Sequence, residues 1–214
     1  MSAGRLIGVL ILMQMIGGAT ANFALEAPLF GSPGFLVNAA PHARQIALGA
    51  VLALVVEALW VGIAVTVFAT VYERSRTLAS WFFALAIVAL AVAVVESAAV
   101  MSMISVSEAY GKGGAAVREQ LETVRVLVAS ARNWAHYLGR ITDGCTILVF
   151  YTLLYRLALV PRALAGFGVL AALLMLTGVG MPLFGHEVLF PLLAPLGLVQ
   201  LLLAGWLMVR GLRA

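Results

Sequence analysis

Six long apolar stretches run along the chain, separated by short segments rich in polar residues, proline or glycine. Each stretch is close to the ~20 residues that a helix needs to cross the hydrocarbon core of a bilayer. The pattern therefore predicts an all-α fold, a polytopic membrane helix bundle with six transmembrane helices. The predicted spans are residues 6–25, 45–72, 78–107, 133–157, 163–184 and 189–209.

The segment between the third and fourth spans, residues 115–132, has a different pattern. Apolar side chains recur there at helical spacing, and charged side chains occupy the opposite face. The apolar face comprises Val117, Leu121, Val124 and Val128, and the charged face comprises Arg118, Glu122 and Arg125. This pattern predicts an amphipathic surface helix that leads into the fourth span. The pattern fits either a solvated connector or a lid over a site.

Composition supports the membrane assignment. Of the 214 residues, 64% are hydrophobic and 10% are charged, whereas soluble domains are about half apolar and a quarter charged. No segment is suited to a separate soluble domain, so residues 1–214 are predicted to form a single integral membrane domain. The first stretch, with Arg5 before it and Ala19 to Ala21 after it, has the form of a signal peptide. We interpret it as the first membrane helix.

The basic residues predict the orientation, because Lys and Arg are enriched in cytoplasmic loops. Six spans place both termini on the same side of the membrane. That side carries seven arginines: Arg5, Arg74, Arg76, Arg156, Arg162, Arg210 and Arg213. The opposite side carries five basic residues, Arg44, Lys112, Arg118, Arg125 and Arg132, and five acidic ones, Glu26, Glu108, Glu119, Glu122 and Glu187. Both termini are therefore predicted to be cytoplasmic. Because the basic residues flank apolar runs, the net charge of +4 indicates orientation and not nucleic-acid binding.

The fourth predicted span begins with an unusual stripe of polar residues. Its members are Asn133, His136, Arg140 and Asp143. Spacings of three and four residues place them on one helix face. Two further carboxylates lie within other spans at overlapping depths, Glu57 in the second and Glu96 in the third. The six residues are predicted to converge in a pocket in the outer leaflet.

The energetics of the bilayer favour such convergence. An ionisable group at the bilayer centre costs ~2.5–3.5 kcal/mol on insertion scales, and such groups face the bundle interior and pair with one another. Glu57, Glu96 and Asp143 outnumber Arg140, even when His136 is counted as a cation. Desolvation and like-charge repulsion then favour protonation of one carboxylate, Glu57 first, or a bound cation.

Three functions fit this pattern. The leading hypothesis is a protein that binds or carries a small polar or lipid-like ligand, with Arg140 as anchor and proton-titrating carboxylates around it. The alternative is a membrane-embedded enzyme in which His136 and the carboxylates act as acid, base or metal ligands. A further alternative is a structural or regulatory membrane subunit in which the charges fix the helix register. The expected partners are the lipid bilayer and this ligand; the sequence specifies no oligomeric state.

Other chemistries find little support in the sequence. There is no P-loop, no serine-nucleophile elbow and no HExxH motif. His42 and His186 could join His136 in a metal site, but no two of them are four residues apart, so surface histidines are the preferred interpretation. The single cysteine, Cys145, lies in an apolar run and is interpreted as a packed thiol. The sequence assigns no cofactor.

Four segments carry a resemblance to a known family. They are GRLIGVLILMQMIGGATANF from Gly4, PGFLVNAAPHARQI from Pro33, ARNWAHYLGRI from Ala131 and LLYRLALVPRALAGFGVL from Leu153. Together they resemble an uncharacterised family of bacterial multi-span integral membrane proteins, a domain of unknown function. The resemblance covers nearly the whole chain and implies a bacterial inner-membrane protein. It implies no activity and no site residues.

Overall fold

The computed structural model describes residues 2–213, which are mostly helical and contain no strand. Within these residues there are seven α-helices, two of them extended by short π- or 3-10-helical turns. They are α1 (Ala3–Ala19), α2 (Phe35–Asn38), α3 (Ala43–Val71), α4 (Arg76–Lys112), α5 (Ala115–Arg156), α6 (Arg162–Gly180) and α7 (Ala194–Arg210).

Five helical segments are long and apolar enough to cross a membrane. These segments are Ala3–Leu25, Ala43–Val71, Arg76–Lys112, Arg162–Phe184 and Phe190–Arg210. They correspond to the first, second, third, fifth and sixth predicted spans, with boundaries that differ by a few residues except at the end of the third. The prediction of a multi-pass, all-helical membrane protein is confirmed at this level.

The predicted fourth span is the part of the six-span layout that the five apolar segments do not include. The predicted surface helix and the predicted fourth span form one continuous helix of 42 residues. The segment contains no proline, so nothing in its backbone requires a break between the two parts. Charged residues keep α5 outside the five apolar segments, and Arg140 and Asp143 lie within the part predicted to span the membrane.

The chain divides into two compact units, and α1, α3, α4 and α5 each contribute residues to both. The first unit comprises residues 1–14, 57–90 and 137–214. The second unit comprises residues 15–56 and 91–136.

Aromatic side chains form the centre of the first unit. Trp60 meets Phe82 and Phe150 edge to face, with ring centroids 6.2 and 5.9 Å apart. Phe82 stacks on Phe150 at 5.1 Å. The buried ring of Tyr151 lies directly on Gly168 of α6, where a Cβ atom would overlap the ring. This close approach packs α5 against α6.

The two ends of the chain meet within the first unit. Gly4 at the start of α1 lies so close to Gly211 and Leu212, just after α7, that a Cβ atom at Gly4 would overlap their backbone. The N–H of Arg213 donates to the carbonyl of Leu159, in the connection between α5 and α6, at 2.8 Å. The starts and ends of several helices are therefore held together at one end of this unit.

The second unit buries the apolar loop that follows α1. Leu29, Phe35 and Leu36 pack with residues of α3 and α4 in one core cluster. The hydroxyl of Ser107 on α4 donates to the carbonyl of Leu36 and accepts from the N–H of Ala40, both at 2.8 Å. These hydrogen bonds fix the α2 segment against α4.

Candidate functional site

The first group of candidate residues is the Arg140 cluster, which consists of Glu57, Arg140 and Asp143 in the first unit. Nη2 of Arg140 lies 3.3 Å from Oε1 of Glu57 and 3.0 Å from Oδ2 of Asp143. Asp143 follows Arg140 by three residues, so the helix itself brings these two side chains together. Glu57 comes from α3 and is brought to α5 by the packing of the first unit.

Exposure differs sharply within the Arg140 cluster. The side chains of Glu57 and Asp143 are 4% and 7% exposed, whereas that of Arg140 is 31% exposed. The carboxylates are therefore desolvated, and the guanidinium of Arg140 compensates part of their charge. Arg140 reaches them with one edge and keeps part of its surface accessible.

The second group is the Arg132 cluster, which consists of Glu26, Glu96, Arg132 and His136 in the second unit. Nη2 of Arg132 lies 3.3 Å from Oε2 of Glu26 and 3.2 Å from Oε1 of Glu96. The same Oε1 of Glu96 lies 2.8 Å from Nδ1 of His136. A single carboxylate oxygen is thus shared between a guanidinium and an imidazole.

Local structure explains why Glu26 reaches Arg132. A π-helical turn, Thr20–Leu25, ends just before it, and the N–H of Glu26 donates to the carbonyl of Ala21 at 2.9 Å. Gly49 on α3 leaves space for the side chain, since a Cβ atom there would lie 2.9 Å from Cγ of Glu26. Phe30, in the following loop, places its ring 4.7 Å from the guanidinium carbon of Arg132, a cation–π contact.

The sequence-predicted residues fall into these two groups, with one exception. Glu57, Arg140 and Asp143 come together in the first unit, and Glu96 and His136 come together in the second. Asn133 is exposed.

Sequence reasoning missed Glu26 and Arg132, both buried. The sequence places Arg132 at the end of the predicted surface helix, a connector or a lid, and Glu26 just after the first predicted span. A signal for Arg132 was present, because it precedes His136 by four residues and continues the same helix face. Nothing in the local sequence pairs Glu26 with Arg132, since they are 106 residues apart.

The charges define what each cluster can do. With its carboxylates ionised, the Arg140 cluster sums to −1. The Arg132 cluster sums to −1 with a neutral imidazole and to zero with a protonated one. Both groups can therefore accommodate a proton or a cation, and the accessible guanidinium can bind an oxygen of a ligand. Within residues 2–213, no three His, Cys, Asp or Glu side chains are grouped so as to hold a metal ion.

Five apolar helices and buried ion pairs define a multi-pass membrane protein. The family model described as "Domain of unknown function (DUF4386)" matches residues 6–211, so the chain belongs to that family. This match confirms the resemblance found in the sequence. No curated protein and no solved structure matches the chain.

Proposed function

We propose that the chain crosses a bacterial inner membrane six times, as a single membrane domain, with both termini in the cytoplasm. The meeting of the chain ends supports an even number of crossings, because a chain that returns to its starting side crosses an even number of times. The end of α3 lies at the same end of the first unit as the chain termini. There, Nη2 of Arg74, just after α3, donates to the carbonyl of Leu157 in the connection between α5 and α6 at 3.3 Å. The C-terminal half of α5, at residues 133–157, adds a crossing to the five apolar segments and is the fourth in chain order.

The length and charges of α5 are compatible with this crossing. Its 42 residues extend for ~63 Å, about twice the thickness of the hydrocarbon core. Arg140 precedes Arg156 by 16 residues, or ~24 Å along the helix, which corresponds to the outer leaflet. Ion pairing with Glu57 and Asp143 lowers the cost of carrying this arginine into the membrane. Residues 115–132 then form the extension of α5 on the outer side.

We further propose that the protein binds a small polar or lipid-like ligand at the Arg140 cluster. The single observation that carries this proposal is that Arg140 keeps 31% of its side chain exposed beside carboxylates that are 4% and 7% exposed. An arginine that served only to pair these carboxylates could be as buried as they are, whereas an accessible guanidinium can also contact a ligand. A guanidinium presents five N–H donors in a rigid fork and binds the oxygen atoms of carboxylates and phosphates.

The carboxylates beside Arg140 restrict the net charge of the ligand. An anion added to a cluster of charge −1 would be repelled, unless a proton enters with it or the ligand carries its own cation. Glu57 and Asp143 are both buried, so either one can take up the proton with little rearrangement. The ligand class is therefore a zwitterion, or an anion that is bound together with a proton.

Native mass spectrometry of the gently purified protein tests this proposal. We expect wild type to retain a ligand mass that is lost in Arg140→Gln and kept in Arg125→Gln. Arg125 is the matched control, because it is an arginine on the same helix whose ion pair with Glu122 is exposed. Arg140→Lys keeps the positive charge but loses the planar guanidinium with its paired N–H donors. This variant should retain the ligand mass more weakly than wild type, and it remains a test even if Arg140→Gln does not fold. Bare wild-type protein in several detergents would reject the proposal and favour the structural alternative.

A second candidate function, membrane-embedded catalysis, has one specific observation in its favour. Nδ1 of His136 lies 2.8 Å from Oε1 of Glu96, the carboxylate–imidazole arrangement that orients a general base. Incubation of the reconstituted protein with bacterial lipid extract, followed by mass spectrometry of the lipids, tests this function. A product formed by wild type and not by His136→Gln would support catalysis, and identical lipid profiles would reject it for lipid substrates.

A further inference from the structure

A cavity of about 370 Å³ lies at the end of the first unit where the chain termini meet. Its walls include Arg74 from the connection between α3 and α4, Arg210 at the end of α7, and Arg213 beyond it. Among the described residues that line it, none is acidic. Glu73, the nearest acidic residue in sequence, pairs instead with Arg76 at 3.1 Å. The described lining of the cavity therefore contains three basic side chains and no acidic one.

Arginines on the cytoplasmic side of a membrane protein are common and by themselves indicate only orientation. Here, however, the backbone around them is fixed. Gly4 packs against Gly211 and Leu212 with no room for a side chain, and the N–H of Arg213 is held by the carbonyl of Leu159. Three like charges are thus placed around one cavity by segments that are distant in sequence.

The side chains retain hydrogen-bonding capacity. Arg74 uses one donor on the carbonyl of Leu157. Arg213 stacks on the ring of Trp206 with 5.6 Å to the centroid. Arg210 is exposed, and within residues 2–213 no acidic side chain pairs with it. An anion bound in the cavity would offset the positive charges of the three arginines that line it.

We propose that this cavity binds an anionic phosphate ester, one that carries no compensating cation of its own, at the inner membrane surface. Arginine forks match the oxygen geometry of phosphate, and several arginines around one anion bind it more specifically than a single charge does. The cavity is large enough for a phosphate and its ester substituent. The phosphate can belong to an anionic lipid headgroup or to a soluble phosphate ester. This site is separate in composition from the Arg140 cluster, and the two proposals stand or fall independently.

The experiment uses the full chain in a neutral detergent, titrated with short-chain phosphatidylglycerol and followed by native mass spectrometry. Phosphatidylcholine with the same acyl chains is the headgroup control. The variants are Arg210→Gln and the double variant with Arg213→Gln, which leave the Arg74 hydrogen bond in place. Arg162→Gln, an exposed arginine at the start of α6 that does not line the cavity, is the matched charge control.

We expect phosphatidylglycerol to bind more tightly than phosphatidylcholine. The ratio of the phosphatidylcholine Kd to the phosphatidylglycerol Kd should fall about fivefold in Arg210→Gln and about 25-fold in the double variant. Each arginine near an anionic lipid surface contributes about fivefold to binding. Salt should weaken binding. Displacement of the lipid by glycerol phosphate would identify a soluble ester as a ligand too, and lack of displacement would identify the lipid headgroup. The proposal would be overturned if both lipids bound equally tightly. It would also be overturned if Arg162→Gln lost as much phosphatidylglycerol binding as the double variant. Retention of the Arg140-dependent mass should not change in these variants.

Discussion

The replacement of Arg132 by methionine should be among the most damaging single changes in the second unit. The side chains of Arg132 and Glu26 are 5% and 6% exposed, and Glu96 is also largely buried. Methionine retains much of the apolar volume and its contact with Phe30, so the variant mainly removes the charge. Two carboxylates would then remain desolvated without their arginine.

The expected magnitude follows from the burial. Breaking a buried ion pair by removing one partner costs about 3–5 kcal/mol. The matched control is Arg125→Met on the same helix, whose pair with Glu122 is 51% and 49% exposed. Exposed helix pairs contribute only about 0.3–0.5 kcal/mol. The difference of about 3 kcal/mol corresponds to a fall in Tm of about 6–12 °C for a chain of this size.

Thermal unfolding in detergent, followed by circular dichroism, measures both variants. A third variant, Arg132→Met with Glu26→Gln and Glu96→Gln, also removes the negative charges of the two buried carboxylates. It should recover most of the stability lost in Arg132→Met. The amide that replaces Glu96 still offers an oxygen to His136. If Arg132→Met and Arg125→Met unfold at the same temperature, the buried cluster contributes nothing and this reasoning is wrong. Failure of the triple variant to recover would show that the loss is not electrostatic.

Three further substitutions probe the packing that positions the clusters. Ser107→Ala removes both hydrogen bonds between α4 and the α2 segment and should cost about 2 kcal/mol in thermal unfolding. Gly49→Ala pushes a Cβ atom against Glu26 and should destabilise by about 1–3 kcal/mol. Part of that loss should disappear in an Arg132→Met background, because the displaced carboxylate no longer has its partner. Gly168→Ala overlaps the ring of Tyr151 and should lower the yield of folded protein, measured by size-exclusion chromatography.

Each of these has a control within the chain. Ser102→Ala on α4 removes only a local bond to the carbonyl four residues earlier, at an exposed position. Gly205→Ala and Gly197→Ala add a methyl group where no atom lies within 4 Å. These three variants should unfold within about 0.5 kcal/mol of wild type, apart from a small gain in helix propensity. Equal effects in test and control variants would contradict the packing described here.

The sequence predicted the apolar spans well because their signal is local. A run of about 20 apolar residues is sufficient to indicate a membrane helix, and five such segments are present. In the apolar loop after α1, Leu29, Phe35 and Leu36 are buried as apolar side chains tend to be, whereas Phe30 is 56% exposed. The sequence also predicted that the amphipathic segment leads into the fourth span, and the two parts share one uninterrupted helix although they differ in polarity.

The pairing of charges was only partly predictable. Arg140 and Asp143 are three residues apart, so helix geometry alone brings them together. Glu26 reaches Arg132 only through tertiary packing, with Gly49 providing the space. The burial of each residue on the apolar face of residues 115–132 also could not be predicted from the sequence alone. Val128 packs on the core of the second unit, whereas the equivalent position Val117 is exposed, because burial depends on which neighbours that turn of the helix meets.

The charged face of α5 bears on the alternative function in which the ion pairs only fix the register of the helices. Arg132, Arg140 and Asp143 each contact a partner carboxylate or guanidinium, at positions set by the helix period. Rotation of α5 by one residue, ~100°, would move these side chains away from Glu26 and Glu57 and leave buried charges uncompensated. The ion pairs therefore specify one register of α5, whatever else they do. Arg140 is less buried than its partners, and the proposed ligand site uses this remaining exposure.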